Sequence, residues 1–346
     1  MSNGIVAATA ARIFADLADP QTVNSARDEA WKAPLWQALC DAGLTLAWVP
    51  EQYGGAGADL ADGFAVLGVA GRYAAAIPLA ETLLAGWLLS RAGMSVPQGA
   101  LSVAPVRPND TITLDPDGTL SGRARAVPFA GEAQHLAVLA GRSVALVETA
   151  ACRLADGTSL AREPSNTVRF DRVTPRAIGA VDIDQTALLL MGCVARAVET
   201  AGALEAILEM STRYANERVA FERPIAKFQA VQHNLARLAG EAAAAMTAAH
   251  SAADAIARDA TFDDALFLEA AAAKIRSAEA AQEGAAIAHQ VHGAIGFTSE
   301  HILHRYTLRL LAWRDDFGNE SHWALALGKR IAARGAEEFW PLVAAC

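Results

Sequence analysis

The sequence predicts a mainly α-helical protein with a small β domain set between two helical regions. Three observations carry that reading. Residues 1–96 repeat apolar side chains at three- and four-residue intervals, the spacing of an amphipathic helix. The stretch 97–183 instead alternates short β-rich runs with turn residues, as a compact antiparallel sheet domain does. From 184 to 346 the helical spacing returns in runs long enough for a four-helix bundle. A length of 346 residues with 53% apolar side chains supplies two or three domains and ample core.

Each element has a local justification. "PLWQALCDAGL" places Leu35, Leu39 and Ala42 on one helical face, and Gly43 stands where a helix ends. "DLADGFAVLGVAGRYAAA" and "LAETLLAGWLLSRAG" continue the pattern, the second closed by Gly93. The glycine-rich "VPEQYGGAGADL" invites a dinucleotide-binding reading. That fingerprint needs a glycine three residues after Gly57, where Leu60 stands, so a loop between helices is expected. In the β region, "TITLDPDGTLSGRARAVPF" gives two runs joined by Asp-Pro-Asp-Gly, and "HLAVLA", "SVALVE" and "TVRFDRVTP" add further strands. Asp184 is a plausible N-cap for a bundle with helices expected near 185–216, 228–258, 263–292 and 300–333. Thr261 and Asp264 form a capping-box variant ahead of the third.

Composition removes several function classes. A net charge of -9 and a pI near 5.4, without clustered Lys and Arg, exclude a nucleic-acid surface. Cys40, Cys152, Cys193 and Cys346 are too scattered for a disulfide framework or a zinc site. No secretory signal and no uninterrupted 18-residue apolar run is evident, so a cytoplasmic protein without a membrane is expected. Asp316-Phe317-Gly318 spells the kinase metal triplet, but the Gly-rich loop, strand lysine and His-Arg-Asp loop are missing. A di-iron bundle needs Glu-x-x-His on two helices. The one such pair, Glu132 to His135, lies in an expected loop, and His289/His292 and His301/His304 are expected as solvated or interface histidines. No metal is expected.

Two segments carry more specific chemistry. "RYANERVAFERPIAKFQAVQHNLARL" (213–238) holds Arg213, Arg218, Arg223 and Lys227, partly balanced by Glu217 and Glu222. An arginine near a turn, with Phe221 three residues on, suits a diphosphate and a flat ring. "QVHGAIGF" places Gly293 and Gly296 after a helix, where small residues let a ligand approach, with Gln290 as a donor.

Together these motifs resemble those of the acyl-CoA dehydrogenase family. Its last domain reads Tyr-x-x-x-Arg-x-x-Phe-Gly-x-Pro-Ile-x-x-x-Gln-x-x-Gln, matched here by Tyr214, Arg218, Phe221, Pro224, Ile225, Gln229 and Gln232, with Glu222 replacing the glycine. Its Gln-x-x-Gly-Gly-x-Gly is matched by Gln290, Gly293 and Gly296, with Ala294 replacing one glycine. "GLTLAWVPEQYGGAGADLAD" and "LSGRARAVPFAGEAQHLAVLA" resemble its first-domain and β-domain segments.

The resemblance implies FAD, an acyl-CoA substrate oxidised between Cα and Cβ, and an electron-transfer flavoprotein or similar acceptor. Arg218 and Phe221 would contact the FAD diphosphate and rings, with Gln229 nearby. The Gln290–Gly296 loop, expected at the opposite end of the bundle, would reach a FAD bound mainly by a neighbouring subunit. A homo-oligomer or a heterotetramer with a homologous subunit follows. Counting gaplessly from Gly296, the family's base position falls on Phe317, followed by Gly318 and then Asn319, counted among the cofactor contacts. Asp316 is the candidate catalytic base, in an apolar pocket shared with Phe317 and Trp313. The other family position for a base falls near Gly192 and Cys193, with no acid, and Glu199 two turns on is read as solvated. Asp315, Asp316 and Glu320 would otherwise form a salt-bridged turn with Arg314. The family's Thr-Glu-Pro-x-x-Gly-Ser segment is replaced by "LSVAPVRPND". Such reduced chains resemble subunits of α2β2 acyl-CoA dehydrogenases acting on steroid side-chain or other bulky thioesters. Two readings stand: an enzyme with Asp316 as base, or a partner subunit without its own base.

Overall fold

The computed structural model describes residues 3–344. Five helices open the chain: α1 (Asn3–Leu17), α2 (Pro20–Ser25), α3 (Lys32–Asp41), α4 (Leu60–Arg72) and α5 (Leu79–Arg91). Gly43 and Gly93, both with positive φ, follow α3 and α5 as the sequence predicts. Residues 79–90 of α5 are all buried, including Glu81. A charge in so apolar a helix requires a partner.

Eight strands follow: β1 (Leu101–Ala104), β2 (Thr111–Leu114), β3 (Leu120–Pro128), β4 (His135–Ala140), β5 (Ser143–Glu148), β6 (Arg153–Ala155), β7 (Ser165–Val173) and β8 (Ala177–Ala180). They form two four-stranded sheets, ordered β1-β4-β5-β8 and β2-β3-β7-β6. The pairings are antiparallel except β1 with β4, where Leu101 stands opposite His135 in a parallel register. Alternate residues Leu120, Ala124, Val144 and Val168 turn inward and are fully buried.

The C-terminal part begins with α6 (Gln185–Glu217), capped by the Asp184 carboxylate on Ala187 N at 3.0 Å. A short hairpin, β9 (Val219–Ala220) and β10 (Arg223–Pro224), leads to α7 (Gln229–Arg258) and α8 (Asp264–His292). Asp263, not the Thr261–Asp264 pair, caps α8, because its carboxylate accepts from Leu266 N at 2.9 Å. The helix expected over 300–333 is instead two, α9 (Leu303–Trp313) and α10 (Glu320–Arg334), followed by α11 (Phe339–Ala344). The break is set by Phe317 at φ +57 and Gly318 at φ +93, left-handed conformations that no α-helix accommodates. α6 is long and apolar enough to cross a membrane, but its apolar window is wholly buried by neighbouring elements. It is the central core helix. Of the four cysteines, Cys40, Cys152 and Cys193 are free thiols, and Cys346 lies outside the described residues.

One continuous core runs from Phe14 and Leu35 through α5 and both sheets to Phe317 and Trp323, and a second fills the far end of the bundle around Leu204, Leu238 and Tyr306. α4 and α6 meet backbone to backbone. A Cβ on Gly202 would stand 2.1 Å from the Gly68 carbonyl oxygen, and one on Gly71 would stand 2.1 Å from that of Glu199. Gly202→Ala should therefore force the helices apart and destabilise the fold by about 1–3 kcal/mol. Urea denaturation measures this, and an unchanged midpoint would mean that the two helices slide apart freely.

Candidate functional site

The turn between α9 and α10, residues 314–319, is held from every side. The Phe317 side chain is fully buried, and its ring lies where a Cβ on Gly192 would come within 2.3 Å. Its carbonyl accepts from Cys193 Sγ at 3.1 Å and from Trp323 Nε1 at 3.0 Å. Lys274, buried in α8, donates to the Trp313 carbonyl at 2.6 Å. Arg107, from the loop after β1, donates to the Asp315 carbonyl. Burial pushes the Cys193 thiol up to about 12 and draws the Lys274 ammonium down. Neither is set up as a nucleophile or base; both pin backbone.

Asp316 does not face an open apolar pocket. Its Oδ2 accepts from Arg196 Nε at 3.0 Å. Arg196, only 4% exposed, gives its Nη1 to Glu199 at 2.6 Å and its Nη2 to Glu81. Its guanidinium also lies 5.8 Å from the Trp313 ring centroid. One cation thus joins α5, α6 and the 314–319 turn. Glu199, read from the sequence as solvated, is buried because the α6 face that carries it packs against α4 and α5. The expected turn network is also redistributed: Arg314 pairs with Glu320, while Asp316 turns inward to Arg196. Three carboxylates around one cation in a dry site cannot all ionise freely. Burial, partly offset by Arg196, pushes Glu199 up to about 7 and raises Glu81 as well. Sequence reasoning missed Arg196, Glu81 and Lys274. The available signal was an arginine three residues before a glutamate inside the apolar run "MGCVARAVETAG".

A second locus lies at the C-terminal ends of α6 and α8. The two flavin-type motifs were expected at opposite ends of the bundle. The structure brings them to one end, because α6 and α8 run parallel in an up-down-up arrangement. Tyr214 of α6 stacks on His292 of α8 at 4.5 Å and its hydroxyl donates to the His292 carbonyl at 3.3 Å. Arg218 ends α6 and is exposed. Phe221 and Glu222, at φ +51 and +64, make the tight turn of the β9–β10 hairpin, which leaves Phe221 89% exposed. Gln229 opens α7 and is exposed. Gln290 and Gly293 line a cavity of about 600 Å³ with His289 and Phe297. Gly293, at φ +63, has open space where a Cβ would stand, but Gly296 does not: its Cβ would stand 3.0 Å from His292 and Leu303. Gly296 thus allows the elbow to pack, not a ligand to approach. Asn319 uses its side chain to cap α10, accepting from His322 N at 2.9 Å.

Family models match at both ends: "Acyl-CoA dehydrogenase, C-terminal domain" over residues 182–321 and "Acyl-CoA dehydrogenase, N-terminal domain" over residues 5–95. The chain belongs to the acyl-CoA dehydrogenase family. Acyl-CoA dehydrogenase IpdE2 of Mycobacterium tuberculosis is 31% identical over 304 residues, 87% of this chain and 88% of that protein. Acyl-CoA dehydrogenase FadE27 of the same organism is 26% identical over 333 residues, 86% of this chain and 88% of that protein. Among solved structures, the Tcur3481-Tcur3483 steroid ACAD is 27% identical with a TM-score of 0.83, covering 96% of this chain and 98% of that one. The ChsE4-ChsE5 complex from Mycobacterium tuberculosis shares the fold at a TM-score of 0.84 and 24% identity, covering 95% and 97%.

FAD is the cofactor of this acyl-CoA dehydrogenase family, and the residues at the shared end of α6 and α8 fit it. An exposed arginine, an exposed aromatic ring and a glycine without a neighbour over its Cα share that end. His289, beside them, keeps a buried Nδ1 without a hydrogen-bond partner. Such a set suits a diphosphate and a flat ring system.

The buried cluster generates a pH dependence. Folded Glu199 holds its proton up to about pH 7, whereas an unfolded glutamate releases it near 4.5. Between those values the folded chain binds more protons, so stability falls as the pH rises across that window, by about 3 kcal/mol from this group. Glu199→Gln removes the titration and should flatten the pH profile of urea unfolding from 4.5 to 7. Equal slopes in variant and wild type would put the proton elsewhere in the cluster.

Proposed function

We propose that this chain is the flavin-shaping subunit of a heteromeric acyl-CoA dehydrogenase acting on a bulky CoA thioester, and that a homologous partner supplies the proton-abstracting carboxylate. The observation that carries this is Phe317. It occupies the position where the family's base falls by gapless count, and its ring fills the space over Gly192. That glycine marks the family's other base position. The adjacent acid, Asp316, is already committed to Arg196. The names of the steroid ACAD and the ChsE4-ChsE5 complex support a bulky substrate and a heteromer.

Distance within the chain supports an oligomer. Gly192 and Arg218 lie near the two ends of one helix, about 40 Å apart along it at 1.5 Å per residue. A FAD gripped by Arg218 and Gln290 therefore lies too far from this chain's own Phe317 to react there. In this reading both motifs serve the same FAD, whose flavin ring belongs to the neighbouring subunit's active site. When bound, FAD takes up the hydride lost from the substrate Cβ. This chain's part is to hold the diphosphate with Arg218, cover a ring with Phe221 and close the elbow with Gln290 and Gly293. Gln229 stands beside them. Asn319, the cap of α10, keeps the sealed turn in place. The electron acceptor proposed is an electron-transfer flavoprotein. The division at residues 1–96, 97–183 and 184–346 belongs to the same reading, supported by the gaps between α5 and β1 and between β8 and α6.

Co-expression with a homologous subunit and assay on a panel of acyl-CoAs with an artificial electron acceptor tests the proposal. Asp316→Asn keeps the shape and leaves Arg196 with Glu81 and Glu199. Turnover of the heteromer should be unchanged. If Asp316 is the base, turnover falls by about 10²–10⁴-fold with flavin still bound, and full activity of this chain without a partner sinks the proposal outright. Highest turnover on butyryl-CoA would remove the bulky-substrate part alone. Arg218→Ala removes a charge-assisted contact worth about 1.5–3 kcal/mol, so flavin retention on gel filtration should drop. Retention equal to wild type would take Arg218 out of the site.

A further inference from the structure

A cavity of about 680 Å³ lies between the start of α3, the loop joining β6 to β7, and the outer side of α9. That volume falls in the usual range of about 300–1,000 Å³ for small-ligand sites. Its charge is one-sided. Lys32, Arg162, Arg305 and Arg309 line it, against Glu29 and Glu163. Both carboxylates are already engaged, Glu29 with Lys32 at 2.6 Å and Glu163 with Arg309 at 2.7 Å.

Two guanidinium groups are left over. Among the described residues, neither Arg162 nor Arg305 makes an ion pair or a side-chain hydrogen bond. Arg305 and Arg309 are one turn apart on α9, a like-charge spacing that destabilises a helix. Arg309 is 4% exposed and its Nη1 donates to the Arg305 carbonyl at 3.0 Å, so the pair cannot splay apart cheaply. Burial and the neighbouring Arg309 charge both draw the Arg305 pKa down. Arg162 sits at φ +62, a conformation disfavoured for a residue with a side chain, and lines the same cavity. His289, whose Nδ1 is buried and without a partner, lines another wall. A fold that keeps two uncompensated guanidinium groups and an idle imidazole nitrogen around one cavity lacks an anion there.

We propose that this cavity binds a diphosphate group, held by Arg162 and Arg305. Planar guanidinium forks match phosphate oxygens in bidentate pairs, and the negative charge of a diphosphate balances the two excess positive charges. The cavity adjoins the flavin motif, since His289, Phe297, Thr307 and Leu311 line both, but Arg162 and Arg305 do not line the Gln290–Gly293 cavity. Two sources share this chemistry, a free diphosphate and the nucleotide end of a CoA thioester.

Isothermal titration of the FAD-loaded heteromer with pyrophosphate tests it, flavin content being read from the visible spectrum. Wild type should bind, and Arg305→Gln should weaken binding about tenfold or more with the flavin spectrum unchanged. Arg162→Gln, on an exposed loop that tolerates the change, should do the same and covers the case in which the α9 variant folds poorly. Pyrophosphate displaced by CoA assigns the site to the thioester's nucleotide end; pyrophosphate that CoA leaves in place assigns it to a free diphosphate. Both uphold the site. No heat with pyrophosphate, binding that neither variant weakens, or loss of flavin together with pyrophosphate in Arg305→Gln would overturn it.

Discussion

The interaction on which the rest of the molecule leans is the buried Arg196 guanidinium. Its three nitrogens reach Asp316, Glu199 and Glu81, and so tie the turn before α10 to α6 and α5. Taking these charges out of water costs several kcal/mol each, which only close pairing offsets. The pairing is possible because α4 and α6 touch at Gly68, Gly71 and Gly202 and bring α6 deep into the fold. A cluster so placed fixes geometry more than it adds stability. Removing Arg196 would leave three carboxylates without their cation, so the turn is tied to α5 and α6 through this one side chain.

The sealed turn bears directly on chemistry. A proton-abstracting carboxylate must be free to approach a substrate carbon. Here the backbone carbonyls of Trp313, Asp315 and Phe317 are each taken by a side chain from a different element, and the Phe317 side chain is a buried ring. The same residues that make the turn rigid hold Asp316 on Arg196. The far ends of α6 and α8 show the opposite pattern, with exposed Arg218, Phe221 and Phe297 and an open Gly293. Rigid burial at one end of α6 and exposed recognition groups at the other divide the labour along a single 33-residue helix.

Phe221 and Glu222 illustrate how function is tolerated in the backbone. Both hold left-handed φ values that side chains resist, and the family's glycine at the second position has become a glutamate. The hairpin nevertheless projects an aromatic ring into solvent, with the Phe228 ring centroid 6.2 Å away. An exposed ring on a strained turn contributes little to folding. Its value lies in what it meets from another molecule.

The sequence by itself determined the helical–β–helical order, the ends of α3 and α5 at Gly43 and Gly93, the Asp184 cap and the family motifs, because each is a local pattern of period, turn chemistry or spacing. What only the tertiary structure decided is what lies next to what. The break between α9 and α10 was legible in Gly318 and the Asn319 cap and was passed over, whereas the left-handed φ of Phe317 and the placement of its ring over Gly192 belong to the packing. Glu199 looked solvated because a period of 3.6 marks faces without saying which face is covered. The two flavin motifs looked distant because sequence separation does not show that α6 and α8 run parallel. Arg196 carried one local signal, Glu199 three residues on; its other two partners lie 115 and 120 residues away, and only packing brings them in.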